Sequence, residues 1–506
     1  MNLILVLPVV IPLTTGIVGL LLLRRSGIQR WLNQVSSLVQ LLVAFVLLEM
    51  VWSRGILSVQ LGNWPAPFGI TFVADLLSAL MVLITGFVAF FIALYSLSQN
   101  DDRTIGFGFY PLVQFLLAGV SGAFLTGDFF NLFVWFEVML MASFVLIVLG
   151  GGKKQIEGGF KYVTINIVAS VLFLAGLGIL YGQVGSLNMA DVSLKLMKED
   201  NAAVALTAGM LLMISFGIKA GAFPLFFWLP ASYHTPQPVV TALFAGLLTK
   251  VGVYALLRSF TLVFTQNVSF THSILLVVSV LTMVSGVLGA ASQFHIRKIL
   301  SFHTISQIGY MLLGLALFTT AAISAAIFYM FHHFLVKTNL FLVSGIVKSY
   351  KGTEELKEIG SLYKTSPWLA LFFLISAFSL VGIPPLSGFF AKFAIVKASL
   401  DINQFLIAGI AAAVGVLTLY SMTKIWAEAF WKKDPAGNET NEKPTLTGTR
   451  AMFVPVILLA LLTVGVGMFP SYLFRITDGA ANQLLNPEIY IKTVLGEGYV
   501  HSYQNR

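Results

Sequence analysis

Four lysines and one glutamate lie inside apolar stretches that are long enough to cross a membrane. The lysines are Lys219, Lys250, Lys337 and Lys392, and the acid is Glu137. On insertion scales one charge at the centre of a membrane helix costs about 2.5–3.5 kcal/mol, so five cost on the order of 12–17 kcal/mol. Ionisable groups at this depth usually pair with one another or line a route for water and protons. The sequence therefore predicts a proton route built from these side chains.

The first half of the chain holds the acid and two of the lysines. Burial disfavours the charged form of a lysine and a nearby carboxylate favours it, so a lysine under both influences can exchange its proton near neutral pH. Glu137 is the only acidic residue near the middle of an apolar stretch. We expect it to be the partner of Lys219, and we expect Lys250 to receive the proton next. The alternative is that Glu137 and Lys219 only tie two helices together.

Histidines join the lysines in the second half. His333 and Lys337 are four residues apart and share a helix face, His332 is one position further round, and Lys392 ends the row. Histidine titrates near neutral pH without assistance. His332 is equally well explained as a hydrogen-bonded core histidine. His234, in the loop sequence YHTPQP, lies either at the mouth of the route or in an ordinary loop.

Charged residues near the ends of apolar stretches have simpler explanations. Lys337 is close enough to one end for its side chain to extend to the membrane surface, which is the alternative to a place in the route. We interpret Lys424 as an anchor at the membrane surface. Asp75, Asp128 and Glu49 lie near stretch ends and are expected to be solvated.

The composition predicts an all-α integral membrane protein. Hydrophobic residues make up 58% of the 506 positions and charged residues 10%, against about 25% charged in soluble domains. At about 20 residues for each crossing, the apolar runs predict fourteen membrane helices. Their expected limits are 3–23, 34–53, 72–98, 108–126, 129–150, 160–183, 202–229, 238–263, 273–292, 301–318, 323–348, 368–395, 404–430 and 450–472.

Two of these helices are interrupted by glycine and proline beside a lysine. The seventh reads GIKAGAFPLFFWLP and the twelfth reads LVGIPPLSGFFAKF. Proline breaks a helix, and irregular backbone at membrane depth occurs only where protein or water surrounds it. Matching interruptions in two halves of a transporter point to a repeated unit with its site at the breaks.

Lys219 and Lys392 are 173 positions apart, or about five spans, so a five-helix unit used twice fits the pattern, and its second copy is inverted because five is odd. We therefore divide the chain into helices 1–3 (1–107), a first repeat (108–263), a second repeat (273–430), and a last helix with its tail (450–506). Loops after odd-numbered spans hold 17 of the 30 Lys and Arg residues, against 8 in the loops after even-numbered spans and the tail. This bias predicts that both termini lie outside the cell.

Several kinds of chemistry have no support in the sequence. The chain has no cysteine, which excludes disulfides, thiolate metal sites and iron–sulfur clusters. It contains no phosphate-binding Gly-x-x-x-x-Gly-Lys motif, and apart from the adjacent histidines no metal-ligand spacing. We therefore expect no cofactor, no metal and no catalytic residue of an enzyme. The net charge of +9 lies mainly in loops between spans, so we expect no nucleic-acid partner.

Five segments within residues 70–430 resemble one known family. They are WFEVMLMASFVL, GIKAGAFPLFFWLPASYHTPQPVVTALFAGLLTKVGVYALLR, SFHTISQIGYMLLG, HHFLVKTNLFLVSG and LVGIPPLSGFFAKF. The family is that of the proton-translocating, antiporter-like membrane subunits of respiratory complex I, membrane-bound hydrogenases and Mrp-type multisubunit Na⁺/H⁺ antiporters. The resemblance implies fourteen helices, two inverted five-helix repeats and a hydrophilic axis through the middle of the membrane.

The resemblance also implies roles for matching positions. Glu137 and Lys219 correspond to the ion pair of a first half-channel, Lys250 to the lysine that connects the halves, and Lys337 and Lys392 to the second half-channel. Within the family, the sequence most resembles the subfamily formed by the D subunits of Mrp antiporters. The lysine at 392 departs from the glutamate common there in one complex I subunit.

This subfamily implies a secondary ion transporter subunit that works with other hydrophobic subunits in the lipid bilayer of a bacterial plasma membrane and moves protons in exchange for Na⁺. The nearest alternative is a proton-pumping subunit of complex I or of a membrane-bound hydrogenase. The remaining alternative, from a different class, is a membrane scaffold without a transport role.

Overall fold

Long apolar helices make up most of the computed structural model, which describes residues 3–99, 102–197, 202–435 and 446–504. Within these residues, eleven helices are long and apolar enough to cross a membrane, and three shorter apolar helices accompany them. Every span expected from the sequence has a helix at its place. The chain is therefore an all-α, multi-pass membrane protein. The number of fourteen crossings, the inverted repeats and the division of the chain stay predictions.

Twenty-two helices follow one another along the described chain. They are α1 Leu7–Leu21, α2 Ser26–Arg54, α3 Leu76–Gln99, α4 Asp102–Gly106, α5 Phe109–Leu125, α6 Phe129–Val148, α7 Lys153–Val184, α8 Met189–Leu196, α9 Ala202–Ala220, α10 Trp228–Ser232, α11 Pro238–Leu262, α12 Val268–Ser292, α13 Ile296–Leu317, α14 Thr320–Lys351, α15 Leu362–Thr365, α16 Pro367–Val381, α17 Ser387–Asp401, α18 Phe405–Ile425, α19 Leu446–Met468, α20 Pro470–Leu485, α21 Pro487–Leu495 and α22 Glu497–Gln504. Two short antiparallel strands, β1 Leu57–Gln60 and β2 Thr71–Ala74, form a hairpin between α2 and α3.

The outer helices place apolar residues outward and polar residues inward. On α2, Gln29, Asn33 and Gln40 are buried, whereas Trp31 and Phe45 are exposed. This is the reverse of a soluble protein and is expected where the surroundings are lipid, because lipid offers no hydrogen-bond partner. Helix α11 is buried along its whole length, α14 is buried from Ala322 to Val347, and most of α3 and α13 is buried. These four form the centre of the molecule.

The loops meet at two opposite ends of the helix bundle. At one end, which we call the odd-loop face, loops after odd-numbered spans contact one another, as in the Arg297–Glu354 ion pair at 2.6 Å. At the other end, the even-loop face, a backbone bridge joins Asp128 to Asn188, and α20 packs against the start of α14 and α3. This separation of the loops agrees with helices that alternate in direction.

One expectation for the even-loop face is wrong. Asp75 is buried rather than solvated, with 1% of its surface exposed. Its carboxylate forms an ion pair of 2.6 Å with the buried Arg258 at the end of α11. The guanidinium also lies 5.2 Å from the centre of the Tyr490 ring, which belongs to α21. The pair therefore ties the hairpin end of α3 to α11 and to the C-terminal helices.

The two interrupted helices are present, but their lysines are not equivalent. Helix α9 ends at Ala220 and the chain resumes helical structure at α10, while α16 is separated from α17 in the same way. Each break begins with a glycine at positive φ, Gly221 at +81° and Gly382 at +97°, a conformation that residues with a Cβ rarely adopt. These glycines are 161 positions apart, whereas Lys219 and Lys392 are 173 apart. The first lysine therefore precedes its break and the second follows it.

Candidate functional site

Glu137 and Lys219 come together through a third residue that the sequence did not single out. Ser170 on α7 donates its hydroxyl hydrogen to Glu137 Oε1 on α6. The Lys219 ammonium on α9 donates to the same hydroxyl oxygen at 3.5 Å. Among the described residues no direct contact within 4.0 Å joins the carboxylate to the ammonium. The expected partners are thus neighbours bridged by a serine rather than a direct ion pair.

An aromatic ring and a small cavity complete the surroundings of Lys219. Its Nζ atom lies 5.2 Å from the centre of the Phe136 ring, a distance at which the ring face stabilises a cation. A cavity of about 20 Å³, enough for one water molecule, lies between Lys219, Asn166 and Gly252. A Cβ at Gly252 would lie 2.4 Å from a backbone nitrogen of α9. Only glycine lets α11 approach the break this closely, and the cavity connects α9 with α11.

Lys250 lies at the centre of α11 without an acidic partner among the described residues. Its side chain has no exposed surface, and its ammonium donates to the carbonyl oxygen of Ala245 on the same helix. His333 and Lys337 on α14 are close enough for their charges to interact with that of Lys250. Lys250 therefore lies near the members of the row on α14, and its role as the connection between the two halves stays a prediction.

Helix α14 carries the next three members of the row. His333 is fully buried, and neither ring nitrogen has a hydrogen-bond partner within the described chain. Lys337 donates to the carbonyl oxygen of Leu300 at 2.9 Å. His332 is one position further round the helix, and its Nδ1 atom is 2.9 Å from the Ser387 hydroxyl at the start of α17. His332 therefore contacts the twelfth-span break, while His333 faces Lys250.

Lys392 uses a carbonyl group that the break leaves free. Its ammonium donates to the carbonyl oxygen of Val381, the last residue of α16, at 2.9 Å. Because the helix stops there, this oxygen has no partner in a following turn. The Nζ atom also lies 5.3 Å from the centre of the Tyr310 ring on α13. No carboxylate contacts Lys392 in the described part of the chain, so the carbonyl and the ring are its stabilising neighbours.

His303 is a member of the row that the sequence reasoning missed. It lies on α13, is fully buried, and has its Nε2 atom 3.0 Å from the Ser421 hydroxyl. Its Nδ1 atom has no partner among the described residues, and the charges of Lys337 and Lys392 reach it. The histidine at the third position of the quoted motif SFHTISQIGYMLLG was the available signal.

His234 lies apart from the row, in the loop before α11 at the odd-loop face. Its Nδ1 atom is 2.9 Å from the carbonyl oxygen of Pro230, and its ring centre is 5.8 Å from that of His295. Burial, together with the nearby Lys298 and Arg297, lowers the pKa of His234 to about 4. The imidazole is therefore neutral at pH 7. This position suits the mouth of a route, and it shows no contact with the row within the described residues.

Half of the buried polar side-chain atoms that lack a hydrogen-bond partner in the described chain lie on three of the four central helices, α11, α13 and α14. Besides the histidines, the buried side-chain atoms of α11, α13 and α14 without a hydrogen-bond partner in the described chain belong to Thr249, Ser259, Ser306, Gln307, Thr338 and Asn339. Leaving such an atom unsatisfied costs about 1–3 kcal/mol, and internal water normally satisfies it. Of these three helices, α11 carries Lys250 and α14 carries Lys337, and a continuous hydrophilic axis between the lysines stays a prediction.

Comparison with known proteins agrees with this geometry. The profile of the family described as NADH:quinone oxidoreductase/Mrp antiporter matches residues 126–418. The D subunit of the Na⁺/H⁺ antiporter of Alkalihalophilus pseudofirmus is 46% identical over 500 residues, which cover 98% of this chain and 100% of the relative. The protein of the same name from Bacillus subtilis is 40% identical over 497 residues, 98% of this chain and 100% of the relative.

Solved structures show the same fold. A chain of the Mrp complex from Dietzia sp. matches with a TM-score of 0.90 and 33% identity, over 98% of this chain and 100% of that one. A chain of respiratory complex I from Thermus thermophilus matches with a TM-score of 0.79 and 24% identity, over 95% of this chain and 99% of that one. The second likeness concerns the fold alone.

Proposed function

The chain belongs to the family of membrane subunits shared by NADH:quinone oxidoreductase and Mrp antiporters, and we propose that it is the proton-carrying D subunit of a multisubunit Na⁺/H⁺ antiporter. Near full-length similarity to two relatives named as D subunits of Na⁺/H⁺ antiporters supports this assignment. The relatives also support a bacterial plasma membrane as its location and other hydrophobic subunits as its partners. The Lys and Arg bias of the loops supports the odd-loop face as the cytoplasmic side, with both termini outside.

The observation that carries the proposal is a row of buried protonatable side chains across the middle of the helix bundle. It begins at Glu137 and Lys219, beside a small cavity that reaches Leu248, Val251 and Gly252 on α11, the helix that carries Lys250. From there it passes through His333 and Lys337 on α14. Lys392 at the second break ends the row, with His332 and His303 beside it.

Repulsion between neighbouring lysines gives the row a means of moving a proton. A positive charge on one buried amine disfavours a positive charge on the next, and a carboxylate favours it. Lys219 has Glu137 nearby, whereas Lys250 and Lys337 have no carboxylate contact among the described residues. A shift of Glu137 away from Lys219 therefore drives the Lys219 proton towards Lys250. The positive charge on Lys250 then repels the protons held by the titratable side chains of α14 and by Lys392.

The role in transport is that of a secondary carrier rather than an enzyme. The row needs only protonatable side chains and water, and no cofactor enters the scheme. The structure of a complex titled as an Mrp complex contains a chain of the same fold at 33% identity, which favours the antiporter over a complex I subunit. Copurification tests this choice, because small hydrophobic partners support the antiporter, whereas flavin and iron–sulfur subunits contradict it.

Removal of Lys219 tests the proposed transport role. We expect Lys219→Ala to lower sodium-dependent proton movement in proteoliposomes at least tenfold while the complex still assembles, because the first half of the row loses its cation. The matched control is Lys161→Ala, which removes an exposed lysine paired with Glu157 on the neighbouring α7. The control should exchange at the parent rate. Parent-level exchange by the assembled Lys219→Ala complex would refute the role.

A further inference from the structure

Ser170 hydrogen-bonds to both the carboxylate and the ammonium at the start of the row. It lies on α7, with at most 9% of its surface exposed. Its hydroxyl donates to Glu137, and its oxygen accepts from Lys219 at 3.5 Å. We infer that Ser170 carries the proton between Lys219 and Glu137, an inference that rests on the proposed function and names a residue outside the predicted row.

The hydroxyl group has a second acceptor, which a carrier requires. The Ser170 Oγ atom also lies 3.0 Å from the carbonyl oxygen of Asn166, one turn earlier on α7. A hydroxyl has a single hydrogen, so it can donate to Glu137 or to this carbonyl but not to both at full strength. Rotation about the Cβ–Oγ bond switches between the two. A serine with only a structural role needs the carbonyl bond alone.

The transfer step conserves every proton. An O–H bond of Ser170 breaks as its hydrogen passes to the Glu137 carboxylate, which becomes a neutral acid. In the same step the N–H bond of the Lys219 ammonium breaks, and its hydrogen forms the new O–H bond of the serine. Lys219 is left as a neutral amine that can accept the next proton. The serine then rotates so that its hydrogen points to the Asn166 carbonyl, and the reverse sequence returns the proton.

The surroundings of Ser170 supply a way for protons to reach this bridge. Tyr162, Asn166 and Ser170 are spaced at four-residue intervals on α7 and therefore share one face. Tyr162 and Asn166 line the cavity beside Lys219. The Tyr162 hydroxyl is 2.7 Å from that of Ser143 on α6. This face runs from the bridge towards the odd-loop end of α7, where His234 lies.

The test compares variants that differ only in the hydroxyl group. We expect Ser170→Ala to slow sodium-dependent proton movement in proteoliposomes tenfold or more, since positioned proton carriers typically contribute 10²–10⁴-fold. Ser170→Thr should keep most of the rate, whereas Ser170→Val, which has nearly the same shape as threonine, should lose it. The control is Ser273→Ala on α12, an exposed serine with the same bond to a carbonyl four residues earlier.

The possible results separate this inference from the proposed function. Parent rates in both Ser170→Ala and Ser170→Val, alongside a loss of exchange in Lys219→Ala, overturn the serine bridge and leave the antiporter role intact. Parent rates in all three variants overturn both. If Ser170→Ala does not assemble, the threonine and valine pair decides, because equal rates for these two contradict a role for the hydroxyl.

Discussion

Tyr310 should determine how firmly Lys392 holds its proton. The Lys392 ammonium lies 5.3 Å from the centre of the Tyr310 ring, and only 9% of the lysine surface is exposed. A ring at this distance stabilises a cation by about 0.5–1 kcal/mol at exposed sites and about 2 kcal/mol when water is excluded. No carboxylate contacts Lys392 among the described residues. Replacement of Tyr310 by leucine therefore leaves the hydrogen bond to the Val381 carbonyl in place and removes the ring, one of the two neighbours that stabilise the charged lysine.

The size of the effect follows from that contact. A loss of about 1–2 kcal/mol favours the neutral amine by roughly 5–30-fold, because about 1.36 kcal/mol corresponds to tenfold in a protonation equilibrium. We expect the pH profile of sodium-dependent proton movement in proteoliposomes to shift about 0.7–1.5 units towards acid in Tyr310→Leu. The direction is acid because the proton then leaves Lys392 at a lower pH. Rates measured at closely spaced pH values on both sides of the optimum give the shift.

The phenylalanine variant is the control. Tyr310→Phe keeps the ring over Lys392 and removes only the hydroxyl, which donates to the carbonyl oxygen of Ala411 at 2.5 Å. Its pH profile should stay within about 0.3 units of the parent, since the ring supplies most of the cation stabilisation. An unshifted profile in the assembled leucine variant would refute the reasoning. So would equal shifts in the leucine and phenylalanine variants.

Three further predictions concern the buried ion pair at the even-loop face, the packing of α11 on α9, and the His234 loop at the odd-loop face. Asp75→Ala leaves the Arg258 guanidinium buried without its carboxylate, which costs about 3–5 kcal/mol and should lower the melting temperature of the complex in detergent. Gly252→Val places a Cβ 2.4 Å from a backbone nitrogen of α9, and the repacking costs about 1–3 kcal/mol, seen as a lower melting temperature and slower exchange. His234→Asn removes an imidazole whose pKa burial lowers to about 4 from the ordinary 6.5. The unfolded chain binds the proton first as pH falls from 6.5 towards 4, so the parent loses stability across that window and the variant should lose less.

Matched variants test each of these. Asp102→Ala removes an exposed partner of Arg30 and should cost at most about 1 kcal/mol; an equal effect of Asp75→Ala contradicts the buried pair. Gly178→Val adds a Cβ where nothing lies within 4 Å, and it should leave both measurements unchanged. For His234, melting temperatures are measured between pH 7.5 and 4.5, and parallel curves for variant and parent contradict the expected acid effect.

The sequence alone was enough to predict the membrane helices, the two breaks and most of the row. Lipid supplies no hydrogen-bond partners for the backbone, so a long apolar run must become a helix. A lysine in such a run costs several kcal/mol, which makes residues such as Lys219, Lys250 and Lys392 conspicuous whatever their neighbours are. Glycine and proline beside two of these lysines predicted the breaks for an equally local reason. Each of these features depends on the solvent and on neighbours along the chain.

Contacts between distant segments were decided only by the tertiary structure. Ser170 and His303 are ordinary within their own helices, and they join the row because packing turns them towards partners 33 or more positions away, as in the Ser170–Glu137 bond. Asp75 resembles a solvated residue near a helix end until α11 places Arg258 against it. The apolar residues of a membrane helix show that the helix lies in lipid, but they do not show which other helix packs against a given face. That neighbour is fixed only when the helices pack together.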